Sequence, residues 1–238
     1  MPKNIIIGPS NGWIYAQSIF SLYNHRKFLE ESGVNALEFC INWDSKRLAS
    51  LEKKYFINLE YKSLHLPDQD HYHSIEEQVA LAKKLVKKQN IDCALVHPLK
   101  LTEDYLQQMR SALDKKFALE NMDKNKSSGY DLQELSNLVE QYDLKLVLDV
   151  QHAYEHDHTM RYGWDLFQAM QPRIMHLHIS GETPSNNHER VCTADNKDTI
   201  LQFLNKILST NNYPLILEEK YNNPIELKEE IDFLKREL

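Results

Sequence analysis

The sequence predicts an α/β fold, a single (β/α)8 TIM barrel spanning residues 1–238. Three observations point there. Eight short apolar runs rich in Ile, Val and Leu alternate with longer amphipathic stretches. The length of 238 residues is close to the roughly 250 residues of a one-domain β/α barrel. The turn after the first apolar run reads GPSNGW, without the G-x-G-x-x-G spacing that marks the rival open doubly wound sheet.

The strand candidates are 4–9 (NIIIGP), 36–42 (ALEFCIN), 61–66 (YKSLHL), 93–99 (CALVHPL), 116–122 (KFALENM), 144–150 (LKLVLDV), 174–180 (IMHLHIS) and 214–219 (PLILEE). Strands that alternate with helices pair in parallel, because each return crossing needs a helix's worth of chain. The clearest helix is 74–89. Ser74 can cap it, Glu77 completes a capping box, and Val79, Leu81, Ala82, Leu85 and Val86 recur at helical spacing. Residues 131–142 repeat the pattern with Asp131 as cap. Residues 197–209 and 224–236 also fit, the latter opening on Pro224, whose fixed φ suits a helix start. A short helix is expected over 45–55.

At 42% hydrophobic and 26% charged residues, the chain can bury a core without disulfide staples. Its three cysteines, Cys40, Cys93 and Cys192, form no CxxC pair, which argues against a zinc ribbon or a redox motif. Reduced thiols in a cytoplasmic protein are the simpler expectation. The three-residue apolar run near the N-terminus is too short for a signal peptide or a membrane span. A net charge of −7 argues against general nucleic-acid binding, which draws its affinity from Lys and Arg on phosphates.

In a β/α barrel the active site lies at the C-terminal ends of the strands. Here those ends carry His65, His97, Glu120, Asp149 with His152 three residues on, His176 with His178, and Glu218. Each has an ordinary explanation on its own. A strand-end histidine is usually a hydrogen-bonded structural residue, and Asp149 can cap the next helix. Six consecutive strands delivering such groups to one rim need a common cause. An isolated buried charge inside LVLDV or LILEE costs on the order of several kcal/mol, and a bound cation removes that cost. Carboxylates and imidazoles are the usual ligands of Mn, Mg, Co and Zn. His71, His73, His156 and His158 fall in polar stretches and are expected to be solvated loop residues. Trp13, Trp43 and Tyr221 lie just past strand ends, where they can wall a sugar ring or simply pack.

The motifs LHLP at 64–67, VHP at 96–98, LEN at 119–121, DVQH at 149–152, HLHISGE at 176–182 and ILE at 216–218 resemble the xylose-isomerase-like barrel superfamily. That group includes ketose epimerases, inosose dehydratase-like proteins and endonuclease IV. The resemblance implies Glu120, Asp149, His178 and Glu218 as metal ligands, with the second histidine of the HxH pair preferred. It implies Glu120 and Glu218 as the groups that exchange protons with carbon. His65, His97, His152 and Arg190, the last from GETPSNNHERV, become candidate substrate contacts.

The activity so implied is isomerisation or epimerisation of a small sugar or polyol, through an enediolate stabilised by Mn, Mg or Co. An endonuclease IV-like zinc phosphodiesterase is the alternative, in which His65 and His97 hold further zinc ions. Against it, the nuclease's D-x-H pair is met here only by Asn186-Asn187-His188. A third alternative is a barrel that keeps the metal site without catalysis. The expected partner is a small carbohydrate, and a homo-oligomer is admitted.

Overall fold

The computed structural model describes residues 5–11, 27, 29–41, 59–68 and 74–238. The helix expected over 45–55, together with Trp13, Trp43, His71 and His73, lies outside them.

Eight parallel strands form one sheet: β1 (Ile7–Pro9), β2 (Ala36–Cys40), β3 (Tyr61–His65), β4 (Cys93–Val96), β5 (Phe117–Glu120), β6 (Lys145–Asp149), β7 (Ile174–Ile179) and β10 (Leu215–Leu217). Their order is β1-β10-β7-β6-β5-β4-β3-β2. A parallel bridge between Ser10 and Glu38 joins the two ends, so the sheet closes into a barrel. Gly8 permits that closure, since a Cβ there would collide with the carbonyl oxygen of Ala36. Two further strands, β8 (Gly181–Thr183) and β9 (Asn186–Glu189), make an antiparallel hairpin beyond β7.

Around the barrel lie α1 (Ile75–Gln89), α2 (Glu103–Leu113), α3 (Leu132–Gln141), α4 (Val150–His156), α5 (Arg161–Met170), α6 (Lys197–Leu208) and α7 (Pro224–Glu237). Ser74 and Asp131 cap α1 and α3 as expected, accepting from the N–H groups of Glu77 and Glu134. α2, α4 and α5 are additions to the expected set. α5 starts without a side-chain cap, from Met160 at φ 58, so its start carries no sequence signal of the usual kind. His156, expected in a loop, ends α4 and stacks on Tyr162 with ring centroids 3.9 Å apart.

Alternation along the strands explains the two layers of burial. Outward residues such as Leu37, Leu64, Val96, Leu119, Leu148, Leu177 and Leu217 join the helices in one large apolar cluster. Inward residues Ala36, Tyr61, Cys93, Leu95, Ala118, Val147 and Ile216 make a second, smaller one inside the barrel. Two residues further along, the inward positions change character. Glu38, Ser63, Glu120, Asp149, His178 and Glu218 succeed Ala36, Tyr61, Ala118, Val147, His176 and Ile216. The apolar plug therefore supports a polar rim. Among the described residues, no helix is long and apolar enough to cross a membrane.

Candidate metal centre and active site

Glu120, Asp149, His178 and Glu218 converge at the C-terminal mouth of the barrel. Each offers one ligand atom, all of these atoms lie within 4.8 Å of one another, and all four residues are buried. His178 Nδ1 is 3.1 Å from Glu120 Oε1 and 3.4 Å from Glu218 Oε2. His176 lies in the layer beneath, where its Nδ1 meets the Tyr61 hydroxyl at 2.8 Å.

Asp149 does two jobs. Its Oδ1 accepts the His152 N–H at 2.7 Å and so caps α4. Its carboxylate also belongs to the four-residue group, so capping α4 does not take it out of that group. Asn121, the last residue of LEN, fixes this geometry. Its side-chain amide donates to Asp149 O at 2.9 Å and accepts from Asp149 N at 2.7 Å. Its carbonyl takes the His152 Nδ1 proton at 2.9 Å. An amide can donate and accept at once, which an ionised carboxylate cannot do.

His65 and His97 face the same oxygen. His65 Nε2 is 3.2 Å and His97 Nε2 3.6 Å from Glu120 Oε2. Their Nδ1 atoms are tied elsewhere, to Leu66 O at 3.1 Å and to Asp68 Oδ1 at 2.9 Å. His65, His97 and Glu120 thus form a second group able to hold a metal ion, sharing Glu120 with the first.

The electrostatics are those of a crowded anionic pocket relieved by imidazoles. Burial raises the Asp149 carboxyl, and neighbouring Glu120 and Glu218 raise it further, to about 7. Burial works against charge on His65 and His152, but the surrounding carboxylates win and hold both imidazoles at about 9. Glu120 and Glu218 are pushed up by burial and pulled down by His178 more strongly, so both sit below the ordinary range.

Arg190 is not brought to this site. Its guanidinium pairs with Glu229 of α7 at 3.6 Å, and Glu226 and Glu230 of the same helix add to the field around it. The peptide passes from β9 into a short 3-10 turn at Val191–Thr193, and this turns residue 190 toward α7. From the same hairpin His188 faces the rim instead. It meets Ser180 Oγ at 3.3 Å, and its ring centroid lies 6.4 Å from that of His152. Gln151 ties the hairpin down, donating to Glu182 at 2.9 Å and accepting from Asn196 at 3.0 Å. Tyr221 is no rim wall. It is 1% exposed and donates to Glu219 at 2.8 Å.

Sequence reasoning passed over Glu38. It stands mid-strand in ALEFC, is fully buried, and lies 3.1 Å from His178 Nε2. The signal was present, because an acid at an inward position of an apolar strand is as anomalous here as in LVLDV.

The sequence model of the family described as xylose isomerase-like TIM barrel matches residues 104–237. No curated protein matches the chain. Among solved structures, a D-tagatose 3-epimerase-like protein is 17% identical, with 98% of this chain and 97% of that one covered at a TM-score of 0.67. D-psicose 3-epimerase from Clostridium cellulolyticum H10, solved with D-tagatose, is 14% identical, with coverages of 98% and 95% and a TM-score of 0.63. A xylose isomerase-like TIM barrel protein from Mycobacterium smegmatis, in complex with magnesium, is 12% identical, with coverages of 89% and 86% and a TM-score of 0.61. At these identities the likeness is one of fold.

Proposed function

Starting from the finding that this chain belongs to the xylose isomerase-like TIM barrel family, we propose that it is a divalent-metal-dependent isomerase or epimerase of a small sugar or polyol. The observation that carries the proposal is the buried convergence of Glu120, Asp149, His178 and Glu218, with ligand atoms all within 4.8 Å of one another. Three carboxylates this close repel one another, and burial first, then Glu120 and Glu218, raise Asp149 to about 7. The donor set fits a cation that neutralises it. Three oxygen donors and one imidazole favour Mn, Mg or Co over a dedicated zinc site. When bound, such a cation supplies Lewis acidity toward a substrate carbonyl.

The remaining chemistry is assigned to the chain's own side chains. Of Glu120 and Glu218, one takes a proton from carbon and the other returns a proton on the opposite face. His65, His97 and His152 are assigned to substrate hydroxyls. His188 replaces Arg190 as the hairpin's contact, because the Arg190 guanidinium is engaged with Glu229. The epimerase names among the fold neighbours support a carbohydrate substrate by analogy of fold alone. Glu120→Gln should abolish Mn-dependent interconversion of ketohexoses while the circular dichroism spectrum stays unchanged. Undiminished turnover in that variant would sink the assignment.

One observation favours a zinc phosphodiesterase as a second reading. His65, His97 and Glu120 form a further metal-competent group that shares Glu120 with the first, and clustered metals suit phosphate chemistry. Cleavage of an abasic DNA duplex by zinc-loaded protein, with ketohexoses untouched, would select it.

A further inference from the structure

Behind His178 lie three polar side chains that the proposed chemistry does not use, Glu38 and Ser63 in the rim and His176 in the layer below. All three, like His178, are 0% exposed. Glu38 Oε2 accepts the Ser63 hydroxyl at 2.9 Å, faces His178 Nε2 at 3.1 Å, and lies 3.5 Å from His176 Nε2. The Tyr61 hydroxyl closes the chain on the far side of His176 at 2.8 Å.

We propose that Glu38 is a positioning residue, which fixes the ring orientation and the tautomer of His178 for a cation held by Glu120, Asp149, His178 and Glu218. The inference rests on the metal site proposed above. Both His178 nitrogens face carboxylate oxygens, Nε2 that of Glu38 and Nδ1 those of Glu120 and Glu218, so in the metal-free fold both can donate. A cation held by Glu120, Asp149, His178 and Glu218 would take the place of the Nδ1 proton, and Glu38 then keeps the remaining proton on Nε2. A ligating histidine whose other nitrogen donates to a carboxylate is held in one orientation and made more basic.

Stability alone does not account for Glu38. A buried carboxylate among imidazoles is seldom more stabilising than an apolar side chain of similar volume, and Ala36, the preceding inward position of the same strand, is apolar. The placement is also specific. Ser63, on the neighbouring strand in register with Glu38, holds the oxygen that His178 meets. Glu38, His176 and His178 do form a group able to hold an ion themselves, so the experiment must separate positioning from ligation.

Co2+ titrated calorimetrically into chelator-treated wild-type protein and Glu38→Gln does so. Positioning predicts an affinity loss of about 10- to 100-fold at unchanged stoichiometry, with the circular dichroism spectrum retained. Equal affinities overturn the proposal and leave the metal site standing. Loss of one whole equivalent of Co2+ makes Glu38 a ligand and also overturns it. Failure of the wild-type protein to bind Co2+ overturns the metal site itself. A second measurement needs no variant. In zinc-loaded wild-type protein, histidine 15N spectra should show His178 with Nε2 protonated and Nδ1 metal-shifted. The reverse pattern contradicts the role of Glu38 whether or not Glu38→Gln folds.

Discussion

Glu218 and Glu219 are adjacent in the chain, both buried, and opposite in behaviour. Glu218 looks into the barrel and meets His178 Nδ1 at 3.4 Å. Glu219 looks away from it, toward Tyr221 and the field of Glu230 on α7. Burial pushes both carboxyls up. His178 more than offsets that for Glu218 and draws it below the ordinary range. Among the described residues no imidazole does so for Glu219; burial and Glu230 leave it well above that range, which favours the neutral acid. A buried carboxylate is thus not a metal ligand by virtue of burial. What separates the two is whether histidines and further carboxylates converge on the same point.

The largest expected effect comes from breaking that contrast. Glu218→Gln should weaken Mn2+ binding by more than about 100-fold, beyond the usual cost of losing an outer partner. Glu219→Gln keeps an acceptor for the Tyr221 hydroxyl, so it should change stability by about 1 kcal/mol or less and leave Mn2+ affinity alone. Isothermal titration and thermal melts of the pair decide it. Similar losses of affinity in both variants would erase the distinction.

Next in size is a pH effect on the metal-free protein. His65 and His152 hold their protons up to about 9 in the fold, against 6.5 ordinarily. Asp149 holds its proton to about 7, against 3.8. For each of these groups the folded state binds the proton more tightly than the unfolded chain, so the stability gained is lost as pH rises through the folded value. Melting temperature without metal should therefore fall between pH 6 and pH 9. Excess Mn2+ competes with the Asp149 proton directly and disfavours the His65 and His152 protons by its charge, so it should stabilise most at the alkaline end. A metal-free melting temperature that climbs over that interval would contradict the charge distribution described for the rim.

The smallest effect concerns Arg190. Its partner Glu229 is largely exposed, and such pairs contribute about 0–1 kcal/mol. Arg190→Ala should cost no more than that, and the KM for a turned-over sugar should stay put. A large rise in KM would return Arg190 to the substrate.

Much of this was legible in the sequence because the barrel writes its site at a fixed structural position. Acids inside LVLDV and LILEE, and histidines at the ends of neighbouring apolar runs, announce themselves against a strand background. The same logic reaches Glu38 in ALEFC, but only once inward and outward parity is followed along every strand rather than at strand ends alone. The hairpin β8–β9 was out of reach. GETPSNNHERV is polar, without the apolar alternation that marks a strand, so nothing local says that residue 188 turns to the rim while residue 190 turns to α7. The start of α5 was hidden for a related reason, since Met160 holds a left-handed conformation, at φ 58, that its side chain does not advertise.

The central claim is that Glu120, Asp149, His178 and Glu218 hold a divalent cation. Elemental analysis of protein purified without chelator, repeated on Asp149→Asn, tests it most directly. The account predicts one bound Mn, Mg or Co per chain in the wild-type protein and loss of that ion in the variant. A wild-type chain without metal that also fails to take up added Mn2+, Mg2+ or Co2+, or an Asp149→Asn variant that retains its ion undiminished, would contradict it.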